Sequence, residues 1–152
     1  EIIHNDACDL MIAEAHGGYR YFLTFTDDLS RYGYIYLMKH KSETFEKFKE
    51  FQSKVENHRN KKIKFLRSDR GGEYLSYKFG LHLKQCGIVS QLTPPGTPQR
   101  NGVSECHNRT LLDRVRSMMS LIDLSLSFWG YALETAAVTL NRAPSKSVET
   151  TL

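Results

Sequence analysis

YRYFLTFTD at Tyr19–Asp27 and YGYIYLMK at Tyr32–Lys39 decide how this chain folds. Both runs are rich in aromatic and β-branched residues, the types that suit a half-buried pleated surface. Asp27-Asp28-Leu29-Ser30 between them has turn chemistry. Upstream, Ile2–Leu10 is a short, mostly apolar run, and Gly17-Gly18 supplies a second turn. Three consecutive strands joined by short turns predict an antiparallel meander.

Downstream the period changes. Phe45, Phe48, Phe51 (or Gln52) and Val55 recur at helical spacing behind Ser42, a candidate N-cap, with Lys and Glu on the other face. Lys62–Ser68 reads as a fourth strand, Tyr77–Cys86 as a short helix closed by Gly87, and Ile88–Leu92 as a fifth strand. Thr93–Gly102 (TPPGTPQRNG) holds three of the four prolines and cannot be regular structure. Leu111, Val115, Met118, Met119 and Ile122 then form a helical core stripe, and a last helix spans Ser127–Asn141, stopping before Pro144. The expected architecture is α/β: a five-stranded mixed sheet, three antiparallel strands then two parallel, with helices on both faces.

The chain has 152 residues, 40% hydrophobic and 25% charged, which suits one globular domain and excludes disordered, coiled-coil and collagen-like classes. No apolar run approaches a membrane span, and the start carries no signal-peptide pattern. Opening at Glu1 instead of a methionine, the chain reads as an excised piece of a larger protein. The net charge of +4 is compatible with nucleic acid without proving it. Cys8, Cys86 and Cys106 are odd in number and widely spaced, which argues for reduced thiols in an intracellular setting. His4, Cys8, Cys106 and His107 match no standard zinc spacing, and Asn108-Arg109-Thr110 is an incidental sequon.

Three carboxylates hold special positions. Asp6 lies inside the first strand, Asp69 at the carboxyl end of the fourth, and Glu105 in the first turns of the helix after the proline-rich loop. Strands one and four are commonly neighbours in such folds, which would bring Asp6 and Asp69 together. Converging carboxylates repel one another, and a hard divalent cation is the natural relief. Taken singly, each acid is more often a cap, a turn residue or a solvated side chain.

Asp69 and Glu105 are separated by 35 residues. With that spacing, GGYRYFLTFTDDLSRYGYIYLMKHKSE, RSDRGGEY, TPPGTPQRNGVSECHNRTLL and SFWGYALETAAVTLNRAPS closely resemble, in order, the integrase core domain of copia-type LTR retrotransposons, in the retroviral integrase superfamily. The resemblance covers essentially the whole chain, 1–152, and implies a ribonuclease H-like fold with a D,D-35-E triad; the family's zinc-binding and C-terminal domains would lie outside it. It implies that Asp6, Asp69 and Glu105 bind two Mg²⁺ (or Mn²⁺) ions about 4 Å apart. The implied chemistry is in-line attack of water or a DNA 3′-hydroxyl on a phosphodiester, giving 3′-end processing and strand transfer. The implied partners are double-stranded DNA and further copies of the chain, in the nucleus.

On the helix bearing Glu105, a 100° step places Arg109, Leu112 and Arg116 on the same face with Asn108 close by. Asn108, Arg109 and Arg116, with Gln99, Arg100 and Asn101 of the loop, are the DNA-contact candidates; a solvated face with an intrahelical ion pair is the alternative. Lys61, Lys62 and Lys64 with Arg59 form a small basic cluster, more simply read as solvated charge. Three departures from the family pattern stand out: Asp9-Leu10 in place of Gly-Pro, Arg70 in place of Asn after the second acid, and Cys106-His107 after the glutamate. A cation at Arg70 competes with a bound metal or holds a phosphate. These departures raise an alternative function, a domesticated, catalytically inactive module that binds nucleic acid or protein.

Overall fold

The alternation in the first third of the chain resolves into β1 (Ile2–Asp9), β2 (Tyr21–Asp27) and β3 (Gly33–Met38). They are followed by α1 (Thr44–Arg59), β4 (Phe65–Ser68), α2 (Tyr77–Gln85), β5 (Val89–Leu92), α3 (Gly102–Leu121) and α4 (Trp129–Arg142). The structure is a computed structural model and describes residues 1–9, 14–69, 71–94, 102–123 and 125–142. Its five strands form one sheet in the order β3-β2-β1-β4-β5. The β1–β2 and β2–β3 pairs are antiparallel, and β1–β4 and β4–β5 are parallel. This is the mixed sheet expected from the sequence, with β1 at its centre.

Helices cover both faces because successive strand residues point to opposite sides. On one face Ile3, Leu23, Phe25 and Leu66 pack with Phe48, Phe51 and Val55 of α1 and Phe79 and Leu83 of α2. Phe25 stacks on Phe51 at 4.2 Å between ring centroids. On the other face Phe22 packs with Leu111 and Val115 of α3 and Trp129, Leu133 and Ala136 of α4. Asp6 and Cys8 lie on the α3 side of β1, while Ile3, Asn5 and Ala7 face α1 and α2.

Several boundaries move. Tyr19 leaves β2 and bridges to Ala15 instead. β4 starts only at Phe65; the preceding Lys64 donates its amide to the Glu1 carbonyl and accepts from the Val89 amide. Ser42 is not the N-cap of α1: it sits in a 3-10 turn, Lys41–Glu43, and Glu43 occupies the cap position without a side-chain bond. The Thr44 hydroxyl closes that entry by donating to the Lys41 carbonyl at 2.7 Å. Ser76 caps α2 by accepting from the Phe79 amide, and Gly87, at φ 70°, reverses the chain into β5. Ile122 falls beyond α3 and is exposed, so the core stripe of that helix ends earlier than its spacing suggested. Most of the Thr93–Gly102 loop lies outside the described residues.

The outer edge of β3 is tied to α4 by a side-chain amide. Asn141 accepts from the Gly33 amide at 2.8 Å and donates to the Gly33 carbonyl at 2.7 Å, satisfying both groups as a neighbouring strand would. Gly33 is also where β3 meets α3: a Cβ there would lie 2.3 Å from Nε2 of the buried His107. Gly33→Ala should therefore destabilise the domain by about 1–3 kcal/mol in urea unfolding. The double variant Gly33→Ala/His107→Ala should recover part of that loss, and an equal loss in both would show that the ring is not the obstacle.

Candidate active site and metal centre

Asp6 reaches its position through the register of the sheet. It pairs with Thr24 across β1–β2, in the middle of the ladder. Its neighbours on the same face come from β1, β2 and α3. Asn108 donates to Asp6 Oδ2 at 2.9 Å and to the Cys8 sulfur at 3.1 Å, and accepts from the Thr24 hydroxyl at 2.8 Å. The Cys8 thiol donates to the same Oδ2 at 3.7 Å. One carboxylate oxygen of Asp6 is thus anchored, and Oδ1 has no hydrogen-bond partner among the described residues.

Asn108 belongs to this anchor and not to an exposed edge. Ser104, His107, Asn108, Leu111 and Val115 form the buried side of α3, so Asn108, a DNA-contact candidate from the sequence, faces the sheet. Three residues beyond Glu105 is 60° short of a full turn, enough to carry the amide under the sheet. Glu105, Arg109 and Arg116 stay exposed, while Leu112 of the same face is half-buried against the α4 side core. Arg116 pairs with Asp113 at 3.3 Å in the open, a contact worth little. Gln99, Arg100, Asn101 and Arg70 lie outside the described residues.

The ladder between β1 and β4 ends at His4↔Arg67. Two residues further along each strand come Asp6 and Asp69, past the last pair. Asp69 is exposed, and its Oδ1 accepts from the Gly71 amide at 3.0 Å, which closes a tight turn. Glu105 approaches from the first turn of α3. Burial first, then the negative charge of Asp69, and more weakly that of Glu105, push Asp6 up to about 6, against the bonds from Asn108 and Cys8. Three carboxylates from three elements therefore share one electrostatic neighbourhood, and no Lys or Arg among the described residues pairs with any of them.

Among the described residues, no group of three or more His, Cys, Asp or Glu side chains is already gathered tightly enough to hold a metal ion. The chemistry of the acids nevertheless fits one. Their donors are all oxygen, they carry excess negative charge, and Asp6 keeps a free oxygen, which suits a hard divalent cation. A zinc set from His4, Cys8, Cys106 and His107 is not assembled. His4 is buried against Asp28 at 2.6 Å, Cys8 belongs to the Asp6 anchor, Cys106 is exposed, and His107 packs on Gly33. Burial and Asp6 push the Cys8 thiol up to about 12, so it stays protonated. Asp9, the first departure from the family pattern, pairs with Lys41 at the surface at 3.3 Å and faces away from the acids.

The profile of the family described as "Integrase core domain" matches residues 2–98. The chain belongs to the integrase core domain family. This core domain is 45% identical over 145 residues to the Retrovirus-related Pol polyprotein from transposon TNT 1-94 of Nicotiana tabacum, an alignment covering 95% of the chain and 11% of that protein. It is 32% identical over 145 residues to the corresponding polyprotein of transposon RE1 of Arabidopsis thaliana, again covering 95% of the chain and 10% of the relative. The chain thus spans about a tenth of the length of the curated relatives it matches. Its fold also matches a chain in the cryoEM structure of the simian T-cell lymphotropic virus intasome in complex with PP2A regulatory subunit B56 gamma. That match has a TM-score of 0.75 at 18% identity and covers 98% of this chain and 51% of that one. The sheet order and this likeness make the fold ribonuclease H-like.

Sequence reasoning placed the acids but missed their supports, Cys8, Thr24 and Asn108. Strand alternation from Asp6 to Cys8 pointed to one of them; the partnership of Thr24 and Asn108, 84 residues apart, had no local signal. The raised pKa of Asp6 has a measurable cost for this integrase core. At neutral pH the carboxylate is charged in folded and unfolded chains alike, so the shift from 3.8 to about 6 costs the fold up to about 3 kcal/mol. The cost fades as pH falls from 6 to 4, because the folded state takes up the proton first. Asp6→Asn should therefore raise the thermal midpoint in chelator at pH 7.5, with the gain shrinking toward pH 4. A variant less stable than the parent at both pH values would contradict the cost of burying the Asp6 charge beside Asp69.

Proposed function

We propose that this chain is the catalytic core of a metal-dependent polynucleotidyl transferase that joins retroelement DNA to target DNA in the nucleus, and that Asp6, Asp69 and Glu105 are its metal ligands. The observation that carries the reading is the placement of the acids in an integrase core fold: Asp6 on β1 and Asp69 after β4 lie just past the end of the β1–β4 ladder, and Glu105 stands in the first turn of α3. Three acids on β1, after β4 and in the first turn of α3 gain nothing for the fold by repelling one another. When bound, divalent magnesium or manganese supplies Lewis-acid activation of a hydroxyl nucleophile and charge stabilisation of the leaving oxygen.

The residues of the chain divide the work. Asn108 and the Cys8 thiol hold one Asp6 oxygen, which leaves the other available to a cation. Asp69 is held in its turn by the Gly71 amide. Glu105 is carried by a helix whose buried side is fixed by Leu111 and Val115, so it advances or retreats only by rotating its own side chain. Arg109 and Arg116 follow Glu105 along the exposed side of α3 and would track a DNA backbone by phosphate contacts, which are independent of sequence. The likeness to an intasome chain and the family membership support DNA and further copies of the chain as partners.

In the full-length protein, Asp69→Asn should take metal-dependent nicking and strand transfer below detection without unfolding the domain, since an amide loses the charge that holds the cation. Retained activity would end the catalytic reading and leave a non-catalytic binding module. On the exposed side of α3, Arg109→Ala and Arg116→Ala should each lower the slope of log K against log salt for duplex DNA by about 1. Unchanged slopes in both variants would remove α3 from the DNA track.

A further inference from the structure

Beyond His4↔Arg67 nothing in the sheet ladder sets the distance between the strand ends that carry Asp6 and Asp69. β4 remains paired on its other side, where Ser68 is in register with Leu92 and its carbonyl accepts from the Thr93 amide at 2.9 Å. The separation of the two acids therefore depends on contacts outside the ladder, on the opposite face of β1. Asn5, the residue before Asp6, is fully buried there. The phenolic hydroxyl of Tyr74 donates to its Oδ1.

Tyr74 is itself fixed on three sides. Its ring is buried and packs edge-on against Phe79 at 5.7 Å. Its amide donates to the Gly71 carbonyl at 3.0 Å. The Gly71 amide in turn donates to Asp69 at 3.0 Å. A continuous chain of hydrogen bonds thus runs from the Asp69 carboxylate through Gly71 and Tyr74 to Asn5, one peptide from Asp6. Two further polar atoms in the same region are buried without partners among the described residues: Asn5 Nδ2 and the hydroxyl of Ser68, the residue before Asp69. Continued register would set Asn5 beside Ser68, on the side of the sheet away from the acids. Fully buried polar side chains just before both acids have no use in an apolar core.

The geometry points to Tyr74 and Asn5 as positioning residues that latch the Asp69 turn to β1 and so set the Asp6–Asp69 separation for a divalent cation. This inference rests on the metal-binding reading above. Neither residue is a ligand candidate; the latch acts by fixing the spacing of the two carboxylates that would hold the cation. Outer partners of metal ligands act in this way, and their loss lowers metal affinity by about 10–100-fold.

The test is Mg²⁺ and Mn²⁺ binding to this chain, followed by calorimetry and by metal-dependent thermal shift, in the parent, Tyr74→Phe and the double variant Asn5→Leu/Tyr74→Phe. Tyr74→Phe should bind at least about 10-fold more weakly. The double variant replaces both partners of the buried bond by apolar groups of similar shape, so its stability in chelator should return toward that of the parent. Its metal affinity should stay weak. Parent-like affinity in Tyr74→Phe would overturn the latch, and so would a double variant that regains stability and affinity together, which is the signature of a merely structural bond. A parent chain that binds neither ion would overturn the metal-site reading first and the latch with it.

Discussion

Asp6 sits on the middle strand of a sheet covered on both faces, and the rest of the molecule accommodates a carboxylate there. A charge in such a place is expensive unless it is bonded or neutralised. The amide of Asn108 and the Cys8 thiol answer one oxygen. The presence of Asn108 on the buried side of α3 fixes how that helix lies on β1 and β2. With α3 seated by Leu111 and Val115, its first turn brings Glu105 to the same end of the sheet. The anchoring of one acid therefore also sets the approach of another.

The two halves of the sheet meet at β1. Its antiparallel side is long, with seven residue pairs to β2, and its parallel side is short, with three pairs to β4. The long side makes Asp6 rigid. The short side ends before Asp69, at the carboxyl ends of neighbouring parallel strands, the place where α/β sheets bind ligands. Two cores of different character flank β1: an aromatic one under α1 and α2, built on Phe25, Phe48, Phe51 and Phe79, and one under α3 and α4 that closes on small residues such as Ala132, Ala136 and Ala137.

Gly33 and Asn141 show how closely the layers approach. The glycine lets β3 pass against the His107 ring, and the Asn141 amide completes the hydrogen bonding of the same residue. His107 is one of the departures from the family pattern noted in the sequence, and here it is a packing residue. Asp9, another departure, is spent in a surface ion pair with Lys41. Neither change intrudes on the carboxylates.

Local pattern determined the strands, the helices and their order, because hydrophobic period and turn chemistry act over a few residues. It also singled out Asp6, Asp69 and Glu105, through a motif order and spacing that resemble one family. The exposed line of Glu105, Arg109 and Arg116 followed from helical geometry alone. The burial of Asn108 did not, because a helix face becomes a core face only when a sheet lies against it. The same holds for the Thr24–Asn108 and Asn5–Tyr74 bonds, 84 and 69 residues apart, which join side chains that no local rule connects. Only tertiary structure decided that the β1–β4 ladder stops before the acids, since the end of a ladder depends on how two distant strands twist and what packs between them.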